Sequence, residues 1–358
     1  MAQKENLKLA DRKFWKNKKV FLTGHTSFKG TWLKLWLEYM GAHVDGYSIN
    51  YPSYPKSFYK TIYKKKIKRE NILNFEKLKK RILKTKPDIV FHFAAQSILS
   101  EAKKNPFKNY ETNIIGTAKV LEACSLSVNT KLVSIITTDK CYEENNALKY
   151  YSENSLLGGS EPYSASKASA EIISKSYQKK YQKLKKKIIT LRAGNVVGGG
   201  DWKKDRLITD VMNSIEKKKQ LIIRNPNSIR PWQHVLDCLN GYLLASEYSY
   251  NSKFTFNTWN FSPPLRDQIS VIKFVKKIIL NFNYPISKII KGKNEFYEST
   301  RLNLVSNKAY KEIKWKSILT QKNVILFLVE WYKAYYRKEK MKIFSQNQIY
   351  KFYKMAKR

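Results

Sequence analysis

The chain has 358 residues, 42% of them hydrophobic and 27% charged, which is apolar material for one large or two modest cores and excludes a disordered tail or a miniprotein. The formal charge of +41 would alone suggest a polyanion partner, but only 11 of the 69 basic residues are Arg, and the lysines are scattered over the whole length at helical spacing, as on solvated helix faces. No RRM, helix-turn-helix or zinc-finger pattern accompanies the charge, so no nucleic-acid partner is expected, although a basic surface helps attract an anionic nucleotide.

The start, MAQKENLKLADRKFW, lacks the apolar stretch of a signal peptide, and no apolar run approaches the ~20 residues of a membrane helix; neither secretion nor membrane spanning is expected. Cys124, Cys141 and Cys238 are odd in number and far apart, which argues against a disulfide framework or a zinc site and for a reducing, cytoplasmic setting.

Val20, Phe21 and Leu22 read as a short strand running into Thr23-Gly24-His25-Thr26-Ser27-Phe28-Lys29-Gly30. Thr31 to Met40 follows as an apolar helix closed by Gly41, and Ala42 to Ile49 reads as a second strand. Strand, glycine turn, helix and strand within about thirty residues make the βαβ unit of a doubly wound sheet. The alternation continues with a Lys-rich helix near Phe75 to Lys84, a strand Asp88 to Phe93, a helix near Thr112 to Ala123, a strand Lys131 to Ile136, a helix Tyr163 to Lys180 and a strand Ile188 to Leu191. Consecutive rather than alternating apolar residues mark these strands as buried on both faces.

After Gly198-Gly199-Gly200 the pattern gives way to shorter elements broken by Pro226, Pro231, Pro263, Pro264 and Pro285. The expected fold is α/β: a doubly wound parallel sheet of the Rossmann kind over residues 14–195, a smaller, mainly C-terminal α/β substrate domain over 196–330 that interleaves with it, and a basic helical tail over 331–358.

Gly24 and Gly30 stand where a T-G-x-x-G-x-x-G fingerprint has its outer glycines, and Ser27 stands at the middle one. Gly24 allows the tight turn, Gly30 allows close helix-to-strand packing, and the middle position lets backbone approach a dinucleotide pyrophosphate at the helix N-terminus. Ser27 offers a hydroxyl to a phosphate, while its Cβ narrows the approach. The segment after the second strand, Gly46-Tyr47-Ser48-Ile49-Asn50, has no acidic residue for a ribose, and Asp45 is read as exposed; no Arg cluster is evident for a 2′-phosphate.

Tyr163-Ser164-Ala165-Ser166-Lys167 places a Tyr and a Lys at i and i+4, on one helix face. A Lys ammonium beside the phenol, with a cationic nicotinamide near, favours phenolate and lowers the Tyr pKa from ~10, producing a general base for an alcohol being oxidised. The strand ending at Ile136 opens into Thr137-Thr138-Asp139-Lys140-Cys141-Tyr142, at the carboxyl edge where doubly wound sheets bind ligands.

These motifs, together with FHFAAQS, YETNIIGTAKVLEA, EPYSASKASAE, RAGNVVGGGDWKKDRLITD, RPWQHVLDCLNGYLLA and WNFSPP, resemble the extended short-chain dehydrogenase/reductases nearly end to end, and among them the NAD-dependent nucleotide-sugar 4,6-dehydratases that act on CDP-glucose. The resemblance implies an internal redox cycle on tightly held NAD, in deoxysugar and surface-polysaccharide biosynthesis. Tyr163, assisted by Lys167 and Thr138, would take the proton of the sugar C4 hydroxyl, Lys140 would remove the C5 proton, and Asp139 would protonate the departing C6 hydroxyl.

The same resemblance assigns Gly24, Ser27, Phe28, Gly30, Asn71, Ala94, Ala95, Gln96, Asn113, Tyr163 and Lys167 to the cofactor, and Gln96, Asn195, Arg206 and Arg230 to the substrate, the two arginines as donors to pyrophosphate or nucleotide. His234 is read as structural, and the four histidines show no metal-ligand spacing. The resemblance also implies a homodimer, or a dimer of dimers, through the helices near Thr112 and Tyr163.

Ser27, Asn71, Ser100 and Val305 depart from the family's usual residues. An epimerase or reductase of the same family, which needs no acid for water loss, and a non-catalytic nucleotide-sugar binder are the alternatives.

Overall fold

The computed structural model describes residues 7–50, 56–64, 66–144, 150–292 and 303–356. Six strands, β1 (Lys19–Thr23), β2 (His43–Tyr47), β3 (Ile89–His92), β4 (Leu132–Ile136), β5 (Lys187–Ala193) and β6 (Phe256–Phe261), form one parallel sheet in the order β6-β5-β4-β3-β1-β2. A lone parallel bridge between Ser48 and Arg69 extends the pairing beyond β2. The chain leaves β1 toward one edge and returns on its other side at β3, so the carboxyl ends of β1 and β3 flank the crevice that a reversal of winding opens.

Alternate residues of each strand enter different cores, which explains the uninterrupted apolar runs. Val20, Leu22, Ile89 and Phe91 pack into one layer with Trp32 and Trp36, whereas Phe21 and Val90 pack into the other with Leu78, Ile82, Val120 and Tyr181. The helix after β1 begins at Phe28, three residues before the expected Thr31, because the Ser27 side chain caps it by accepting from the Gly30 N–H at 3.2 Å. The expected helix near Thr112 contains a single π-turn, Glu111–Ile115, before the α-helix Gly116–Ser125.

Within residues 196–330, β6 joins the large sheet beside β5, and the helix before it, Val235–Asn251, is buried along most of its length in the first core layer. Short ladders pair Val196–Val197 with Gln233–His234, Leu221–Ile223 with Ile289–Lys291, and Ile229–Arg230 with Ile269–Ser270. The chain ends in the helices Gln321–Tyr336 and Met341–Ala356, the first of which spans position 331. The last helix packs back on the helix after β1: Ile349 and Phe352 are fully buried, and the Trp36 indole donates to the Tyr353 hydroxyl at 3.1 Å.

Candidate active site

Gly24 ends β1 with φ +71°, and its N–H donates to the Tyr47 carbonyl at 2.8 Å. A Cβ there would sit 2.7 Å from the Ala94 nitrogen, and one on Gly30 would sit 2.3 Å from the Gly24 carbonyl oxygen, so only glycine closes this turn. Ser27 keeps an ordinary φ of −70°. Its oxygen is committed to the helix cap, which leaves its proton to donate to a phosphate. The turn therefore fits a dinucleotide: a glycine bend followed by the N-terminus of a twelve-residue helix.

The strand ends on either side of the crevice are tied together. The Thr23 hydroxyl pairs with His92 Nδ1 at 2.8 Å and accepts from the Ala94 N–H at 3.2 Å, which sets the start of the loop after β3. Asn113, buried in the π-turn, accepts from the Gln96 N–H at 2.8 Å and donates to the Gln96 carbonyl and the Ser166 hydroxyl, both at 2.9 Å. It thereby clamps that loop to the helix Pro162–Ser176. The Gln96 amide donates to the Ile98 carbonyl and to Glu101 and accepts from Asn109, so its polar atoms have protein partners. Ala95 and Ser97 line the cleft wall on either side of it.

Tyr163 and Lys167 occupy one face of the helix Pro162–Ser176, opposite the end of β4. Thr138, Tyr163 and Lys167 all line the cleft. The Lys167 ammonium donates to the Ile136 carbonyl at 2.8 Å, and Tyr163 shares a hydrogen bond with Thr138, whose hydroxyl also donates to Asp139 at 2.9 Å. The helix is pinned to the sheet by a buried ion pair: Glu171 accepts from both Arg192 Nε at 2.8 Å and the Thr137 hydroxyl at 2.5 Å.

Burial dominates the electrostatics of this floor. It pushes the Tyr163 phenol up to about 12, with the Thr138 hydrogen bond opposing. The expected lowering by Lys167 is thus absent in the protein alone, because the ammonium is turned to the Ile136 carbonyl. Lys167 falls to about 8 through burial and then the charge of Lys29. Burial also raises the Asp139 carboxyl above its usual range, against Lys140 and the Thr138 hydrogen bond. Asp139 lies so close to the chain after β5 that a Cβ on Gly194 would come within 2.9 Å of its Oδ2. Lys140 follows in a single turn, half-buried, its N–H donating to the Thr138 hydroxyl at 3.4 Å.

The opposite wall comes from the segment after Gly200. Arg206 lines the cleft and pairs with Asp201 at 3.0 Å; Phe28 and Ser27 complete the cofactor side. Arg230 is buried, donates to the Ile229 carbonyl at 3.1 Å and acts electrostatically on Asp139. Asn195 sits between the cleft-lining Gly194 and Val196, its carbonyl accepting from the Gln233 N–H at 3.0 Å. Asn71 is exposed, and its side-chain oxygen accepts from the Leu73 N–H at 3.0 Å, which leaves that oxygen a second lone pair. Asp45 is not exposed as expected but half-buried against Arg81, at 2.7 and 2.9 Å, because the helix Phe75–Thr85 packs beside β2.

Lys29, Asp201, Trp202 and Lys203 are among the residues of the cleft wall that the sequence reading passed over. The three in Gly200-Asp201-Trp202-Lys203 were legible only as part of a family signature, and Lys29 was one lysine among many. His234 caps the helix Val235–Asn251 through Nδ1, and burial lowers it to about 3, so it is neutral. Among the described residues no His, Cys, Asp and Glu cluster could hold a metal, and no helix is long and apolar enough to cross a membrane.

A model of the NAD dependent epimerase/dehydratase family matches residues 20–257. The chain belongs to this family. It is 39% identical to a CDP-glucose 4,6-dehydratase of Salmonella typhimurium, over 95% of this chain and 98% of that one. A dTDP-glucose 4,6-dehydratase of Shigella flexneri is 25% identical over 69% of this chain and 73% of its own.

Among solved structures, the epimerase/dehydratase fold recurs in a UDP-glucose 4-epimerase of Thermotoga maritima with UDP-glucose, with a TM-score of 0.76 at 18% identity, covering 88% of this chain and 98% of that one. It recurs again in a dTDP-glucose 4,6-dehydratase of Streptomyces venezuelae with NAD and TYD bound, with a TM-score of 0.72 at 18% identity, covering 88% of this chain and 96% of that one. At that identity the likeness is one of fold.

Proposed function

We propose that this chain is a CDP-glucose 4,6-dehydratase, converting CDP-D-glucose to CDP-4-keto-6-deoxy-D-glucose and water by internal hydride transfer, a step toward deoxysugars of surface polysaccharides. The observation that carries the reading is Thr138, Tyr163 and Lys167 lining one cleft, with Asp139 hydrogen-bonded to Thr138 and Lys140 next in the chain, in a chain similar almost end to end to the Salmonella CDP-glucose 4,6-dehydratase.

The Gly24–Gly30 turn, with Ser27, Phe28, Ala94 and Ala95 beside it, would hold NAD, which would supply a reversible hydride acceptor. Tyr163 takes the proton of the C4 hydroxyl, with Thr138 as its hydrogen-bond partner and Lys167 supplying positive charge beside the forming phenolate. Burial raises the bare phenol to about 12, and positive charge entering the cleft favours its phenolate. The resulting C4 ketone acidifies the C5 proton, which Lys140 removes. Asp139, whose carboxyl burial raises above its usual range, gives its proton to the C6 hydroxyl as that leaves as water. Hydride then reaches C6 and a proton returns to C5, so one water is lost and the redox balance closes.

Arg206 and Arg230 are the guanidinium donors for the nucleotide pyrophosphate, with Asn195 alongside. Gln96 and Asn113 act by shaping the loop between cofactor and sugar. On this reading strands β1 to β5, within 14–195, carry the cofactor, 196–330 carries most substrate contacts, and the enzyme is cytoplasmic. Assembly is a homodimer, or a dimer of such dimers, through Pro106–Ile115 and Pro162–Ser176. Phe107, Ile115 and Ile172 on these helices are exposed, at 71%, 48% and 57%.

Weighing the products after incubation with CDP-, dTDP-, UDP- and GDP-glucose tests the reading. Loss of one water from CDP-glucose without added NADH is expected. A sugar of unchanged mass, as an epimerase or a binder would leave, or a product that needs stoichiometric NADH, overturns it.

A further inference from the structure

We propose that Tyr142 is a positioning residue for the water-loss step: its hydroxyl, seated on the Arg192 guanidinium, fixes the turn that carries Asp139 and Lys140 against the helix that carries Tyr163 and Lys167. The proposal rests on the dehydratase reading above and deepens it.

The helix arm of the site has ties of its own, from Lys167 to the Ile136 carbonyl and from Glu171 to Arg192. The turn arm, Asp139–Cys141, is a single 3-10 turn, a form whose hydrogen-bond geometry is poorer than that of an α-helix. The hydrogen bonds of Asp139 come from Thr138 and from the Lys140 N–H, both in the turn itself, so the aim of the acid and the base depends on how the two ends of the turn are held. Thr137 holds the entrance, its N–H donating to the Leu191 carbonyl at 3.0 Å and its hydroxyl to Glu171 at 2.5 Å.

Tyr142 stands at the exit. Backbone bonds join the exit to the loop after it, from the Gly158 N–H to the Cys141 carbonyl at 3.0 Å and from the Glu143 N–H to the Leu156 carbonyl at 2.9 Å. The Tyr142 side chain ties it to the sheet instead: its buried hydroxyl accepts from Arg192 Nη1 on β5 and donates to Asn260 Oδ1 on β6, both at 2.7 Å. Asn260 is itself fixed, donating from its side chain to the Tyr151 carbonyl at 3.2 Å and from its N–H to Glu153 at 2.8 Å. The Tyr142 ring packs against the guanidinium, whose carbon lies 4.9 Å from the ring centre, and stacks on Tyr151 at 5.4 Å.

One side chain thus anchors both arms. Arg192 sets Nε and Nη2 on the two Glu171 oxygens, at 2.8 and 2.9 Å, one helical turn beyond Lys167, and Nη1 on Tyr142, two residues beyond Lys140. Arg192, Tyr142 and Asn260 do not line the cleft, so they act on the reaction through the groups they hold. Oxidation at C4 uses Tyr163, Lys167 and Thr138, on the helix and at the entrance of the turn. Water loss uses Asp139 and Lys140, and a displacement of about 1 Å at reacting groups can cost on the order of 10²-fold in rate. Loosening the exit therefore slows water loss more than oxidation.

The test gives CDP-glucose to the wild-type chain and to Tyr142→Phe, reading kcat, KM and the reduced-nicotinamide absorbance during turnover, with thermal unfolding to confirm that the variant is folded. Tyr142→Phe is expected to lower kcat on the order of 10²-fold with KM near the wild-type value, and to raise the reduced-nicotinamide absorbance above that of wild type because oxidation proceeds while water loss lags. If Tyr142→Phe does not fold, Asn260→Leu, which removes the acceptor of the hydroxyl and leaves Arg192 on Tyr142, supplies the same readings. A folded variant with wild-type kcat, one whose loss lies in KM, or one whose kcat falls with no rise in that absorbance overturns the proposal while leaving the dehydratase reading in place. A wild-type chain that removes no water from CDP-glucose overturns the dehydratase reading itself.

Discussion

Tyr163 and Asp139 divide the work in time, and substitutions at each separate the two halves. Removing the phenol oxygen in Tyr163→Phe leaves the fold and takes away the base for the C4 hydroxyl, so turnover of CDP-glucose falls by roughly 10²–10⁴. A variant with near-full turnover removes Tyr163 from the chemistry. Asp139→Asn has no proton to give the C6 hydroxyl but leaves Tyr163 and Lys167 in place. Adding CDP-glucose to it is expected to raise a reduced-nicotinamide absorbance that persists; a variant that binds substrate and shows no such absorbance places Asp139 in the oxidation step.

The raised carboxyl also sets a pH direction. Asp139 stays protonated to higher pH than an ordinary aspartate, so the dehydration step holds above the usual carboxylate range and fails as pH rises past its raised pKa. At this scale the sequence was informative where spacing encodes geometry, as in Tyr163 and Lys167 one helical turn apart. It was silent where orientation decides: the Gln96 amide turned to Ile98, Glu101 and Asn109, the Asn71 oxygen turned to the Leu73 N–H, and Lys29 folded inward.

The element that aims these groups is the helix Pro162–Ser176, and its anchor is the ion pair between Glu171 and Arg192 on β5. Burial alone would raise the Glu171 carboxyl, yet Arg192 and the hydrogen bonds from Arg192 and Thr137 outweigh it and leave the group lowered. The stability it contributes is therefore complete above its unfolded pKa and lost as pH falls through the lower folded value. Glu171→Gln strands the Arg192 charge in the core, and urea unfolding at neutral pH is expected to show a loss of about 3–5 kcal/mol. A loss within error of zero contradicts the anchoring role.

Strand and helix identities were legible because parallel strands buried on both faces carry unbroken apolar runs, as in Ile89-Val90-Phe91. The π-turn that aims Asn113 at Gln96 and Ser166 was not legible, because it depends on tertiary partners and not on a composition signal.

For the whole molecule, the C-terminal helices show why composition misleads. Residues 331–358 look like a basic tail, yet Trp331 is fully buried and Phe352 packs edge-on against Trp36 of the helix after β1 at 5.6 Å. The apolar side of that segment is diluted among lysines, and only its place against the helix Phe28–Tyr39 shows that it completes a core. The exposed Phe107, Ile115 and Ile172 cluster in sequence on the two helices proposed to pair. Ile172→Glu combined with Phe107→Glu is expected to convert the assembly to monomer in sedimentation velocity, and an unchanged sedimentation coefficient contradicts that interface.

The account's central claim is that one hydride leaves C4 and returns to C6 of the same sugar while water departs. CDP-glucose deuterated at C4, mixed with unlabelled CDP-glucose and converted by the wild-type enzyme, tests it directly. The account predicts deuterium at C6 of the 4-keto-6-deoxy product, within the molecule that carried it and with no net change in NAD. Deuterium lost to solvent, left at C4, or scattered onto unlabelled product contradicts it.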